Sequence, residues 1–241
     1  RHKLLRDRNN ALRKAEQVTT ISPWHVEKLQ AYNPNTELVY NGYDPELFYP
    51  EQHRTSQFVI TYTGRLISLA TRSRLDREKL IDPDQFRIQW YVDAGSKAII
   101  MQAATAYPVA RYMDFFDYVP ASEIPGVLNH SSILLQLANT FASNGPKGFM
   151  TTKLFESMAV EKPLLCVKSD ESYLEATIRI TRSGLAARTT EEAYRFILHH
   201  YQFWQDNGYT HINTDKEAVE RFSRKKQAEQ FMRIFTRLNS K

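Results

Sequence analysis

The sequence predicts an α/β protein built on a doubly wound, parallel, Rossmann-like sheet of about six strands. Six short apolar runs carry that reading: "FVITYT" (58–63), "RIQWYVD" (87–93), "VARYMDF" (109–115), "SILLQL" (132–137), "PLLCVK" (163–168) and "LAAR" (185–188). Most are near-continuous in apolar residues rather than alternating, as strands covered on both faces require. Helix-length segments at 96–106, 121–130, 151–161 and 170–181 separate most of them. Strands alternating with helices imply βαβ units and a parallel sheet.

The elements follow in order. Residues 1–15 are charged and helix-prone, with a weak apolar stripe of Leu4, Leu5, Leu12 and Ala15. "QVTTIS" (17–22) reads as a short β-branched strand. Ser22 followed by Pro23 is a helix start, an N-cap and then Pro at the first helical position, and predicts a helix over 23–32. "ELVY" (37–40) is a second strand, closed by the turn cluster "NGYDPELFYP". The polar "EQHRTSQ" marks a boundary near residue 51. The segment 66–86 should hold a crossover helix, on a weak pattern. Helices over 190–204 and 214–239 complete the chain, the second amphipathic and breaking near Ser223.

Composition narrows the class. The 13 Tyr, 13 Phe and 3 Trp argue against disorder, and 24% charged residues suit an ordinary globular chain. The net charge of +5 suits an anionic ligand or a membrane surface, but the basic residues form no block that would announce nucleic acid. Cys166 is the one cysteine, so neither an intrachain disulfide nor a cysteine metal framework can form, and a core thiol is expected. No apolar run approaches the roughly 18 residues of a spanning helix. No leader is recognisable, and the opening without Met suggests a piece of something longer. A cytoplasmic protein is the expectation, peripheral at the inner membrane face as its closest approach to lipid.

In an open α/β sheet, ligands bind outside the carboxyl ends of the strands. Two loops there stand out. In "YTGRL" (62–66), Gly64 permits close backbone approach and Arg65 suits phosphate oxygens. A strand-end turn with a solvated Arg is the plainer alternative. In "ANTFASNGPKGFMTTKLFE" (138–156), a long Gly/Ser/Asn/Pro loop runs into a helix starting near Thr151, whose free N–H groups and positive dipole end suit a diphosphate. Thr151 and Thr152 can cap that helix or donate hydroxyls. Lys153 puts a positive charge where the dipole prefers a negative one, which an anion nearby would relieve. Glu156, one turn on, can accept hydrogen bonds from vicinal hydroxyls, as the acidic residue does for ribose in dinucleotide sites. A surface i,i+3 pair is the alternative.

Other signals carry less. "DPD" (82–84) fits a turn better than an Asp-x-Asp metal motif. His199 and His200 are adjacent on a helix and face apart. "DAGS" (93–96) lacks the full GxGxxG, which disfavours an NAD enzyme.

These residues together resemble a family. "AEQVTTISPWHVEKLQAYNPNTELVYNGYDPELFYP" is similar to the mid-chain of GT-B glycosyltransferases of the group 1, GT4-like type, where a strand ending in Ser, a helix and Asn-Gly-x-Asp…Phe-x-Pro mark the crossing between two domains. "FVITYTGRL" resembles the first strand and Gly-Arg loop of their donor domain, "YVPASEIPGVLNHSSILLQL" the segment beside the nucleobase, and "KLFESMAVEKPLL" their Lys-x-x-Glu helix. The resemblance implies three parts: residues 1–50, the end of an N-terminal domain and the crossing; 51–213, a Rossmann-like nucleotide-sugar domain; and 214–241, an amphipathic helix packing back.

It also implies a C-terminal donor half that binds a nucleoside-diphosphate sugar, UDP- or GDP-linked, and transfers the glycosyl group with retention, without a metal or other cofactor. Arg65 and Lys153 would neutralise the diphosphate and the leaving group. Glu156 would hold the ribose, and the backbone at Tyr118–Val119 would touch the base. The loop 144–148, with Asn144, Gly145 and Gly148, and the helix start at Thr151–Thr152 would cradle phosphates, with Gly64 beside them. The acceptor is unknown, a membrane-associated lipid-linked glycan of polysaccharide synthesis being the expectation. Two departures are visible. Many members carry a sugar-facing Glu eight residues before the ribose Glu, where this sequence has Gly148. The second basic residue after Gly-Arg has no clear counterpart, Arg72 and Arg74 being the nearest. A fragment lacking its N-terminal domain should transfer little. A non-catalytic Rossmann-like module that binds a nucleotide or a partner is the alternative.

Overall fold

In a computed structural model of the chain, residues 2–66, 84–105, 107, 109–137, 148 and 150–240 are described. The crossover helix expected within 66–86 falls mostly outside them, as do Arg72, Arg74, Asp82, Asn144 and Gly145.

The first part comprises α1 (His2–Lys14), β1 (Val18–Thr20), α2 (Pro23–Leu29) and β2 (Thr36–Leu38). β1 and β2 pair in parallel, with Val18 opposite Thr36. Asn33 holds the unit closed, its amide donating to the Leu12 and Ala15 carbonyls at 2.8 and 2.7 Å. Those carbonyls sit at the end of α1, where a helix has no internal donors left.

The main sheet consists of β3 (Phe58–Thr63), β4 (Phe86–Tyr91), β5 (Met113–Phe116), β6 (Ile133–Leu137), β7 (Leu164–Val167) and β8 (Gly184–Ala187). All pairs are parallel and the order is β5-β4-β3-β6-β7-β8. The chain therefore winds outward in one direction from β3, crosses back, and winds outward in the other from β6, which is the Rossmann order 3-2-1-4-5-6. The expected doubly wound sheet is present. β7 shows why its strands read as continuous apolar runs. Leu164 and Cys166 point into a core with α5 (Thr152–Ala159) and α6 (Tyr173–Thr181). Leu165 and Val167 point into the opposite core, with Phe58 and with Ala193, Tyr201 and Trp204 of α7 (Thr190–Asn207). Successive side chains face opposite ways along a strand, so two buried faces leave no polar position. Cys166 is buried, and burial pushes its thiol up to about 12, which leaves it inert at neutral pH.

One expectation shifts in detail, and the break expected near Ser223 is present. The run 109–115 begins with a 3₁₀ turn, Ala110–Tyr112, and only then enters β5. There the Arg87 guanidinium donates to the Arg111 carbonyl at 2.9 Å, just ahead of the first β4–β5 pair, Ile88 with Met113. The C-terminal helix is two helices, α8 (Lys216–Glu220) and α9 (Arg224–Asn239). The break falls at Ser223, whose hydroxyl accepts from the Lys226 N–H and caps α9. α9 then runs back to the first part, where Gln230 and Gln227 donate to the Leu38 and Tyr40 carbonyls at 2.6 and 2.7 Å. Among the described residues no helix is long and apolar enough to cross a membrane.

α6 is anchored from outside its own span. Asp170 accepts from the Ser172, Leu174 and Glu175 N–H groups at 3.0, 3.0 and 3.1 Å. Asp170→Ala leaves those donors to water and is expected to cost about 1 kcal/mol, a fall in Tm of about 2–4 °C for a chain of this size, measured by thermal unfolding.

Candidate functional site

The crevice lies where the winding reverses, between the carboxyl ends of β3 and β6. On the β3 side the chain turns at Gly64, whose N–H donates to the Tyr91 carbonyl at 2.9 Å. Two more bonds fix the turn: the Tyr62 hydroxyl to the Arg65 carbonyl, 3.2 Å, and the Leu66 N–H to the Ser96 hydroxyl, 2.9 Å. Gly64 sits at φ +116°, a left-handed conformation that favours glycine, and a Cβ there would overlap the Lys153 ammonium. The glycine is thus the gap through which Lys153, coming from the other side of the crevice, reaches the end of β3.

Lys153 lies in the first turn of α5. Its ammonium stands 5.8 Å from the centre of the Tyr62 ring. Burial lowers its pKa, and Glu156 works against that shift. Glu156 mirrors it: burial raises the carboxyl, while Arg224 and then Lys153 pull it down. For both groups the loss of water outweighs their mutual attraction, which separates them from a solvated surface pair. Arg224 opens α9 and also faces Asp44, at 3.8 Å, in the turn that follows β2.

The start of α5 is open. Thr151 stands at the N-cap position in extended conformation, yet its side chain makes no capping bond and no acidic residue occupies the first turn. The expected capping by Thr151 is absent, and its Oγ1 is buried without a partner among the described residues. A helix end with free N–H groups, a positive dipole and an added buried ammonium is poised for an anion.

A second group gathers at the ends of β3, β4 and β5. Asp93 caps α3 (Ala94–Ala104) by accepting from the Ser96 N–H at 2.7 Å. Its other oxygen accepts from the Tyr118 hydroxyl at 3.1 Å and pairs with Arg65 Nε at 3.5 Å. The Ser96 bonds lead in holding the Asp93 carboxyl below its ordinary value. Arg65 is 79% exposed along its side chain and Tyr118 is exposed. Val119 is half-buried beside it.

The geometry therefore brings Gly64 and Lys153 into contact, sets Glu156 one turn deeper, and leaves Thr151 and Thr152 at the helix mouth. It places Arg65 with Tyr118 on a neighbouring rim, joined through Asp93. Gly148 is buried and lies against Tyr173. Sequence reading singled out neither Asp93 nor Arg224. The N-cap pattern at "DAGS" could have flagged Asp93; nothing local flags Arg224, which meets Glu156 only through the return of α9.

No family model matches the chain, and no curated protein matches it by sequence. Solved structures do match. HepE of Anabaena, in complex with UDP and glucose, superposes with a TM-score of 0.66 at 16% identity, over 96% of this chain and 66% of that one. Sucrose-phosphate synthase from Thermosynechococcus elongatus gives 0.63 at 17% identity, over 100% of this chain and 62% of that one. A glycosyltransferase from Rickettsia africae gives 0.61 at 13%, over 95% and 66%. At such identities the likeness is one of fold. The chain spans somewhat less than two thirds of the length of these proteins.

Proposed function

We propose that this chain, whose fold is that of part of a GT-B glycosyltransferase, binds the nucleoside-diphosphate sugar of a glycosyl transfer at the mouth of α5. The observation that carries the reading is Lys153: a half-buried ammonium, packed on Gly64 at the switch point, beside an uncapped helix N-terminus. A diphosphate across that mouth satisfies the free N–H groups and adds to the countercharge that Glu156 alone gives the ammonium among the described residues. The neighbours complexed with UDP and with UDP-glucose support a nucleotide of this kind.

In this reading residues 1–50 belong to the end of an acceptor-side domain, 51–213 form the donor domain, and 214–241 pack back across both. Glu156 holds the ribose hydroxyls and the Tyr118–Val119 backbone borders the base. The bond from the anomeric carbon to the β-phosphate oxygen breaks, and its electron pair leaves with the nucleotide. Lys153 and Arg65 then stabilise the charge that develops on the diphosphate. The acceptor hydroxyl oxygen bonds to the anomeric carbon, and its proton passes to the departing phosphate. Configuration is retained and no metal ion takes part.

Calorimetric titration with UDP and GDP tests the reading. One of the two is expected to bind with a Kd below about 1 mM, the range of a modest specific site. Absence of heat for both at that concentration sinks it.

A further inference from the structure

Asp93 sits on the rim with no part in the binding described above. Donors reach it from three residues. Ser96 bears on it twice, through its N–H at 2.7 Å and through its hydroxyl, which itself accepts from the Leu66 N–H at 2.9 Å. The Tyr118 hydroxyl donates to Oδ2 at 3.1 Å, and Arg65 Nε stands 3.5 Å from the same oxygen. A carboxylate offers about four acceptor positions. These donors fill them, so Asp93 has little left with which to hold a ligand itself. It is also fixed in place, as the N-cap of α3. Arg65 is the opposite case. Its side chain is 79% exposed, and among the described residues its guanidinium has no hydrogen bond or ion pair except the one with Asp93. Asp93 meets it at Nε, which leaves the two terminal nitrogens, Nη1 and Nη2, without a partner among the described residues.

We infer that Asp93 is a positioning residue, holding Arg65 by Nε so that its two terminal nitrogens are presented to the diphosphate. The inference rests on the donor-site reading above. Arg65 directly follows Gly64, against which the Lys153 ammonium packs, so a diphosphate held by Lys153 lies within the span of an Arg side chain. The terminal pair of a guanidinium matches two phosphate oxygens in a bidentate contact, provided the plane is turned the right way. A free Arg side chain gives up much rotamer freedom when it makes such a contact, whereas one already held by a rigid carboxylate gives up less. The opposing effect is repulsion between Asp93 and the ligand. It is the smaller one, because Asp93 and Arg65 together carry no net charge and the carboxylate is spread over four donors.

The test is calorimetric titration of the 241-residue chain with UDP, GDP and inorganic diphosphate. Asp93→Asn is the central variant. Asparagine caps a helix as well as aspartate does, but the atom it turns towards Arg65 is an N–H₂ group, which cannot accept. The variant is expected to weaken the favoured nucleotide and inorganic diphosphate by the same factor, about three- to tenfold, the size of the ordering cost of one long side chain. In an Arg65→Ala background the same change should alter either affinity by less than about twofold, since a residue that acts through Arg65 has nothing left to act on. An unaltered Tm shows that the variant folds, and Asp93→Ser, whose hydroxyl still caps α3, replaces it if asparagine disturbs the fold. The inference is overturned if Asp93→Asn leaves diphosphate binding unchanged or tightens it, since the carboxylate then merely opposes the anion. It is overturned if only the nucleotide is weakened, which would move Asp93 to the base. It is overturned if the full loss persists without Arg65, which would reduce Asp93 to a cap of α3. In those outcomes the nucleotide site stands. If neither UDP nor GDP binds the unaltered chain, the donor-site reading falls and takes the inference with it.

Discussion

Replacing Lys153 with alanine is expected to weaken nucleoside-diphosphate binding by about 10- to 100-fold, the size of a lost charge-assisted hydrogen bond, and to slow any transfer by about 10²–10³-fold. The larger effect on rate follows because negative charge on the diphosphate grows as the glycosidic bond breaks. The pH dependence has a definite sign. Burial lowers the Lys153 pKa below its ordinary 10.5, so the unfolded chain binds the proton more tightly than the folded, empty one. Stability of the empty chain therefore rises with pH through the window between the lowered value and 10.5. A bound diphosphate reverses the local preference and favours the ammonium. Affinity should accordingly fall as pH is raised through the same window, and Lys153→Ala should flatten that limb. Arginine is not expected to rescue, since the ammonium occupies the gap left by Gly64 and a guanidinium fork is too large for it. Titrations of both variants across alkaline pH decide the matter. An affinity indifferent to Lys153→Ala would remove the ammonium from the site.

Much of this arrangement is legible in the sequence, for reasons that differ by element. "PLLCVK" announces its strand because both faces of β7 are covered, Leu164 by α5 and α6 and Leu165 by α7. The Lys153–Glu156 spacing is legible because an i,i+3 interval sets two side chains on neighbouring turns whatever the fold around them. The loops after β3 and β6 are legible because ligands of an open α/β sheet bind outside the carboxyl ends of its strands; that the winding reverses between these two strands is seen only in the sheet order. What local pattern cannot supply is partner choice between distant segments. Arg224 bears on Glu156, and Tyr173 meets Glu27, only because α9 and α2 return to the same corner. The open N-cap at Thr151 belongs with these. Thr is a good capping residue, yet its hydroxyl is buried with no partner among the described residues, as a structure departs from local preference where function requires it.

Glu156→Gln should separate stability from binding in opposite directions. Burial raises the Glu156 carboxyl above its ordinary value, against the pull of Arg224 and Lys153. A carboxyl whose folded pKa is raised favours the folded chain when protonated, and that advantage is lost as pH rises through the raised value. At neutral pH the folded, empty chain therefore carries an ionised group held at a cost. Glutamine keeps the shape without the charge, so the variant is expected to gain on the order of 1 kcal/mol, the scale of an ordinary single substitution, or about 2–4 °C in Tm. The gain should vanish at acid pH, where the native carboxyl is protonated too. Binding should move the other way, because an ionised carboxylate accepts from two vicinal hydroxyls and an amide oxygen does so more weakly. UDP and GDP affinity is expected to fall by about tenfold or somewhat more, while inorganic diphosphate, which has no ribose, should bind both forms alike. That last comparison carries the assignment. If glutamine weakens inorganic diphosphate as much as the nucleotide, Glu156 acts by holding Lys153 in place; if only the nucleotide suffers, the carboxylate reads the ribose. A variant both less stable at neutral pH and unchanged in affinity would mean that Glu156 braces α5 against Arg224 and touches no ligand.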